Sequence, residues 1–198
     1  VTLLNETAEY PRGSWCEMVA AIYDMSIEQG ATFEMTVYSL PASTTFVPSV
    51  LAEVLGRDLV ASRPTTGNSK GDLWYDATLT PTARWSRWSG TAWANVTPTD
   101  LTGWSARLMF RKTFQDATAI LSLTSPSVSG KGLDLGGQNG SVTIKIPAAD
   151  TTAVDATWAG NISGVYDLEV FDTSTPVVVN RIAQGKWNLV IEATRPTP

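Results

Sequence analysis

Histidine is absent from the 198 residues, which excludes Ser-His-Asp triads, His-ligated zinc and H-E-x-x-H metalloproteases. A single cysteine, Cys16, rules out an intrachain disulfide and a thiolate metal cluster within one chain. With no histidine to activate it, Cys16 is expected to serve as a small, half-buried apolar residue rather than a nucleophile. Charge is scarce as well: 17% of residues are charged, and 14 basic against 19 acidic side chains give a net charge of −5. That shortage of positive charge argues against nucleic acid as the main partner. No apolar run approaches the roughly 20 residues a membrane helix needs. The opening stretch holds Glu6, Glu9 and Arg12 among its apolar residues and lacks the basic start and apolar centre of a secretory leader. Neither a metal nor a cofactor is expected.

What the chain does hold is 43% hydrophobic residues without low-complexity blocks, enough to bury the core of one domain, or of one domain with a large insertion. Acidic groups gather at the front, where residues 1–60 carry eight acids against Arg12 and Arg57. The remainder is close to neutral, so the leading segment is suited either to docking on a basic neighbour or to keeping the chain soluble.

The recurring period is two. Phe33, Met35 and Val37 alternate with Thr32, Glu34 and Thr36, and Trp104, Ala106, Leu108 and Phe110 alternate with Arg107 and Arg111. Both runs predict half-buried strands. Residues 140–147 place Val142, Ile144 and Ile146 on one side, 164–171 place Tyr166, Leu168 and Val170, and 186–192 offer Trp187, Leu189 and Ile191. Shorter strands are expected at 119–124, 132–135 and 177–183. Turns are expected at Asp72, Gly136-Gly137, Asn139-Gly140, residues 172–176 and Gln184-Gly185. Helix is limited to 48–56 and a short turn through 151–154 capped by Asp150. Short strands at this spacing predict an all-β sandwich or barrel, with a core of Phe33, Met35, Leu108, Phe110, Val142, Ile144, Ile146, Tyr166, Leu168, Trp187, Leu189 and Ile191.

Residues 40–97 break the rhythm and read as an insertion. Within them, GDLWYD (71–76) and RWSRWSGTAWA (84–94) predict a small β-meander carrying Trp74, Tyr75, Trp85, Trp88 and Trp93. Five large aromatics in so short a span either staple a mini-sheet too small for an aliphatic core or form a platform for sugar rings or a partner surface. Asp72, Asp76, Asp167, Glu169 and Asp172 are the carboxylates from which a glycosidase pair would have to be drawn. Asp167 and Glu169 lie in the outward phase of their strand, however, where a solvated acid is the default.

Residues 27–33 opening a strand, DLTGWSARLMFR (100–111), 140–147, the turn at Asp150-Thr151-Thr152 and GVYDLE (164–169) together resemble the Ig-like domain of tailed-phage proteins, of the type at the N-terminus of the upper baseplate protein. The Trp-rich meander is similar to a short motif of phage tail-fibre and tip proteins. The resemblance implies an antiparallel Ig-like β-sandwich over 22–39 and 98–195, interrupted by the insertion, in a virion appendage without catalysis or cofactor. Its implied partners are other virion structural proteins and copies of the chain itself, with no nucleic acid and no membrane. Three functions follow as expectations: a tail, baseplate or fibre-attachment component; a capsid decoration protein; or a carbohydrate-binding module that uses the Trp cluster on a host surface glycan. Residues 1–21 fall outside the resemblance. They hold Leu3, Leu4, Tyr10 and Trp15 around a Pro11-Arg12-Gly13 break, which suits an arm lying along a neighbouring subunit.

Overall fold

The structure, a computed structural model, describes residues 21–40, 66, 70, 73–76, 78–155, 160–172 and 177–191. The expected arm up to residue 20, the helix at 48–56 and the turn at Asp72 lie outside the described residues, whereas Ala21, the last residue expected in the arm, belongs to a strand of the domain. What is described is mostly β: twelve strands and one short helix among the described residues.

The larger sheet is built on β7 (Ser105–Arg111), β8 (Leu121–Thr124), β11 (Ile162–Phe171) and β12 (Val179–Val190), paired antiparallel in the order β12-β11-β7-β8. Two short strands, β1 (Ala21–Ile22) and β2 (Met25–Glu28), join the free edge of β12 in parallel. The sheet is therefore mixed, which corrects the expectation of a wholly antiparallel fold. The smaller sheet is antiparallel, in the order β3-β10-β9, from β3 (Phe33–Tyr38), β10 (Ser141–Ile146) and β9 (Gly132–Leu135).

The apolar faces of the two sheets share one cluster. Ala106, Leu108 and Phe110 of β7, Tyr166, Leu168 and Val170 of β11, and Trp187 and Leu189 of β12 meet Val37 of β3, Val142, Ile144 and Ile146 of β10 and Leu133 of β9. The strand phases follow the expected alternation, because burying one face of a pleated strand fixes every second residue. Phe33 and Met35 pack on the cluster from its margin. Ile191 differs from expectation: it is half-buried past the end of β12, where its N–H donates to Asn161 Oδ1 at 3.2 Å. Met25 and Ile27 of β2 bury a further apolar pair.

Gln184-Gly185 is no turn. Strand β12 runs straight through it, so the two strands expected at 177–183 and 186–192 are one, with a register shift against β11 at Leu168/Glu169. Gly185 is needed for what its side chain would strike: a Cβ there would lie 2.0 Å from the Tyr23 carbonyl oxygen. That oxygen accepts the Tyr166 hydroxyl at 2.7 Å, and Tyr166 sits directly opposite Gly185. Gly164 mirrors the arrangement opposite Trp187. A Cβ at Gly164 would stand 1.9 Å from Arg111 O and 2.7 Å from Trp187 Nε1, the two atoms that form a 3.2 Å hydrogen bond. Each glycine thus gives a buried aromatic the room to reach its carbonyl.

Helix α1 (Ala148–Val154) links β10 to β11, with Pro147 rather than Asp150 at its N-cap position. Asp150 instead lies in the first turn, paired with Lys131. Thr151 ties the helix to the β2–β3 turn, its Oγ1 accepting the Gly30 N–H at 3.1 Å. Buried Gln29 donates from Nε2 to Asp155 O at 2.5 Å.

Candidate functional site

The chain leaves the smaller sheet at Ser39 and re-enters the fold near Thr99, and the two points are stitched together. Thr99 N–H donates to Ser39 O at 2.9 Å, and Ser39 Oγ donates to Thr99 Oγ1 at 3.1 Å. Ser39 N–H is taken by Gly140 O at 2.8 Å, and Leu101 N–H by Gly137 O at 3.0 Å, so the β9–β10 turn braces the stem of the insertion.

On that stem stand β4 (Leu73–Tyr75), β5 (Trp85–Trp88) and β6 (Trp93–Val96), a three-stranded antiparallel meander. The β5–β6 turn is closed by Ser89, whose N–H bonds Ala92 O at 2.9 Å while its Oγ accepts the Ala92 N–H at 3.0 Å. Gly90 supplies the positive φ of 106° the turn requires. Between β4 and β5, Asp76 Oδ1 accepts the Thr78 N–H at 2.9 Å and its hydroxyl at 2.6 Å. A 3-10 turn at Pro81–Ala83 follows.

Register divides the five expected aromatics between two faces. Tyr75 lies opposite Trp85, which lies opposite Val96, and this face meets Tyr38 of β3. The ring centroids stand 5.7 Å apart for Tyr38–Tyr75, 5.0 Å for Tyr38–Trp85 and 4.9 Å for Tyr75–Trp85. Trp85 is only 2% exposed. Burial and then the adjoining Tyr75 push the Tyr38 phenol up to about 12, against a nearby Arg84 that pulls it down. Tyr75 and Trp85 are thus packing residues. Tyr38 is the partner that sequence reasoning missed, although it continues the outward phase of Thr32, Glu34 and Thr36, where a large aromatic has no core to enter.

The second face carries Trp74, Trp88 and Trp93. Trp88 lies directly opposite Trp93, with centroids 5.4 Å apart and planes at 60°. Trp74, Ser86 and Asn95 form the neighbouring cross-strand row. All three indoles are half-buried. Between them sits Ser86, 0% exposed, with its hydroxyl 3.4 Å from Oδ1 of exposed Asn95. Among the residues of the three strands the one charged side chain, Arg87, belongs to the Tyr75–Trp85 side, and the side chain of Lys70 stands beside Gly90 of the β5–β6 turn. Chemically the strands place on it aromatic rings around a hydroxyl–amide pair, able to stack on apolar faces and to exchange hydrogen bonds.

The acids considered for catalysis are dispersed. Glu169 is held by Arg107 at 2.7 Å and Arg181 at 3.5 Å, and Arg181 also lies 3.7 Å from Asp167. The two are ion-paired across strands rather than solvated as expected. Asp172 Oδ1 closes the turn back to β12 by accepting the Val178 N–H at 3.0 Å. Asp76 is engaged in its own turn, and Asp72 lies outside the described residues. Among the described residues, no group of three or more His, Cys, Asp or Glu side chains is placed to hold a metal, and no helix is long and apolar enough to cross a membrane. An apolar niche lined by Phe110, Ile146, Thr151 and Trp187 has room only for a water-sized body. The arm residues Leu3, Leu4, Tyr10 and Trp15 lie outside the described residues. No family model matches the chain, and no curated protein matches it.

Proposed function

We propose that the chain is a non-enzymatic structural protein of a tailed-bacteriophage virion, built on an Ig-like sandwich and acting in the tail, baseplate or fibre attachment through repeated protein–protein contacts. The observation that carries this reading is the strand order. In the nomenclature of immunoglobulin domains, β3-β10-β9 takes the order B-E-D, and β12-β11-β7-β8 takes G-F-C-C′ on the facing sheet. Helix α1 occupies the E–F connection, and the meander occupies the B–C connection. The segments that resemble the phage domain fall on adjoining elements of this arrangement: 27–33 leads from β2 into β3, 100–111 enters β7, 140–147 forms β10, and 164–169 lies in β11. A subunit of this kind acts by copy number, since weak contacts repeated around a symmetric assembly add to a tight one.

Quantitative mass spectrometry of purified particles separated into heads and tails tests the proposal. The chain is expected in the tail fraction in fixed stoichiometry. Recovery with the heads would make it a capsid decoration protein, and absence from washed particles would refute a virion role. A chain lacking residues 1–20 is expected to fold and yet fail to enter particles; incorporation at normal copy number would remove the role assigned to Leu3, Leu4, Tyr10 and Trp15.

A further inference from the structure

We propose that the free edge of β3 is the landing site for the leading segment, residues 1–20, of a second copy of the chain, which adds to the smaller sheet as a fourth strand. The inference rests on the arm reading given above and states where the arm binds.

The edge is defined by the direction of its backbone groups. Ser39 N–H donates to Gly140 O at 2.8 Å and Gly136 N–H to Ser141 O at 2.9 Å, and Tyr38 lies opposite Ser141. Alternate residues of an antiparallel strand turn both N–H and C=O to the same neighbour. Phe33, Met35 and Val37 therefore bond β10, whereas Glu34, Thr36 and Tyr38 turn theirs the other way, where no described strand pairs with them. Backbone arranged like this is a template for a further strand. The remaining edges are shorter or covered: β8 and β9 have four residues each, and β1 and β2 lie along β12.

The core is unfinished along the same edge. Phe33 and Met35 pack on the apolar cluster yet are half-buried, while their partners in β10, Ile146 and Ile144, are 0% exposed. A strand beside β3 with apolar residues on its inner side would cover both. Residues 15–20 read Trp-Cys-Glu-Met-Val-Ala, and in a strand Cys16, Met18 and Ala20 share one side. A segment of that length is too short to hold as a strand alone, but it matches the six residues of β3.

The register shows why the segment comes from another copy. Ile27 and Ile146 line one niche, and Ile146 lies opposite Phe33, so β3 starts level with β2. From there the chain's own leading strands keep a single register along β12, from Glu28 opposite Val190 back to Ala21 opposite Ala183. That climb is longer than the one β3 makes from Phe33 to Tyr38. At about 3.3 Å per residue, Ala21 already stands level with the end of β3. Residues 1–20 of the same chain therefore start past the edge they would have to cover, a constraint that does not bind those of a neighbour.

The test uses the full chain in sedimentation velocity and amide hydrogen exchange, with reductant present so that Cys16 cannot link copies. Association is expected with Kd on the order of 1–100 µM. As copies associate, exchange of the Glu34 and Thr36 amides is expected to slow about tenfold or more, with Met35 and Val37 protected throughout. Met18→Asp spoils the arm, and Thr36→Pro removes an outward N–H while leaving the β10 ladder intact. Glu34→Pro removes the other outward N–H and replaces Thr36→Pro if that variant folds poorly; an unchanged amide NMR spectrum for β7 and β11 checks each protein. Each variant alone is expected to associate about tenfold more weakly or worse. Mixed, the two should form a one-to-one dimer, because one keeps the edge and the other keeps the arm. A chain that stays monomeric up to about 1 mM would overturn the proposal, as would a mixture that fails to pair. Association that survives Met18→Asp would overturn it by pairing two β3 edges, and protection of Glu34 and Thr36 at every concentration would do so by assigning the edge to the chain's own residues. If deletion of residues 1–20 keeps the chain out of particles while those two amides exchange freely in the associated full chain, the arm reading stands and its landing site alone is overturned.

Discussion

Gly164 and Gly185 show how much of this fold rests on side chains that are not there. Each lies opposite a large buried aromatic, and each leaves the space through which that aromatic reaches a backbone carbonyl. Adding a methyl group would put carbon 1.9 Å from Arg111 O at Gly164 and 2.0 Å from Tyr23 O at Gly185, so strands must part or the hydrogen bonds must break. Gly164→Ala and Gly185→Ala are each expected to destabilise by about 1–3 kcal/mol or more, measured by urea denaturation; parental midpoints would contradict the assigned register. The tyrosines give a second expectation at this scale. Burial raises the phenol of Tyr38 to about 12 and that of Tyr166 further, from an ordinary 10.0. The unfolded chain therefore loses those protons first. The stability this linkage carries is whole below pH 10 and declines as pH climbs from about 10 towards 12. Chemical denaturation across that range should show the decline, reduced in Tyr38→Phe; a flat profile in the parent would contradict the burial of both rings.

At the scale of elements, the strands most legible in the sequence were those with one buried face, because alternation of Leu108 and Phe110 with Arg107 and Arg111 allows only one phase. Strand β2 was not legible as a strand: four residues with two apolar positions, Met25 and Ile27, carry too little periodicity, and their partner Trp187 lies far along the chain. Gln184-Gly185 misled because glycine in sequence signals a turn and a close backbone approach equally well. The meander was legible as an aromatic mini-sheet, but not its division into two faces, which depends on register and on Tyr38 arriving from another sheet. That division has a direct consequence. Trp85→Ala removes the centre of the staple and is expected to cost the meander about 3–5 kcal/mol, opening residues 73–96 to protease while the β7–β11 core stays protected. Trp88→Ala removes one member of a half-buried pair and should cost about 1 kcal/mol. Limited proteolysis followed by mass spectrometry separates the two, and equal protection in both variants would contradict the staple.

At the scale of the whole molecule, two sheets close on one apolar cluster, while the outward face of the larger sheet is laced by Arg107, Glu169, Arg181 and Asp167. Exposed cross-strand pairs of this sort contribute little to stability and more to keeping an open face soluble and in register. Six further aromatics, Tyr38, Trp74, Tyr75, Trp85, Trp88 and Trp93, gather at one end, in the meander and its contact with β3. A domain with a covered core and one elaborated end suits a subunit that is fixed in an assembly and presents that end outward. The central claim is that this chain is such a subunit of a tailed-phage particle, and cryo-electron microscopy of intact purified particles tests it most directly. The account predicts density for the β3-β10-β9 and β12-β11-β7-β8 sheets in symmetric copies on the tail or baseplate; particles whose every symmetric component is accounted for by other chains would contradict it.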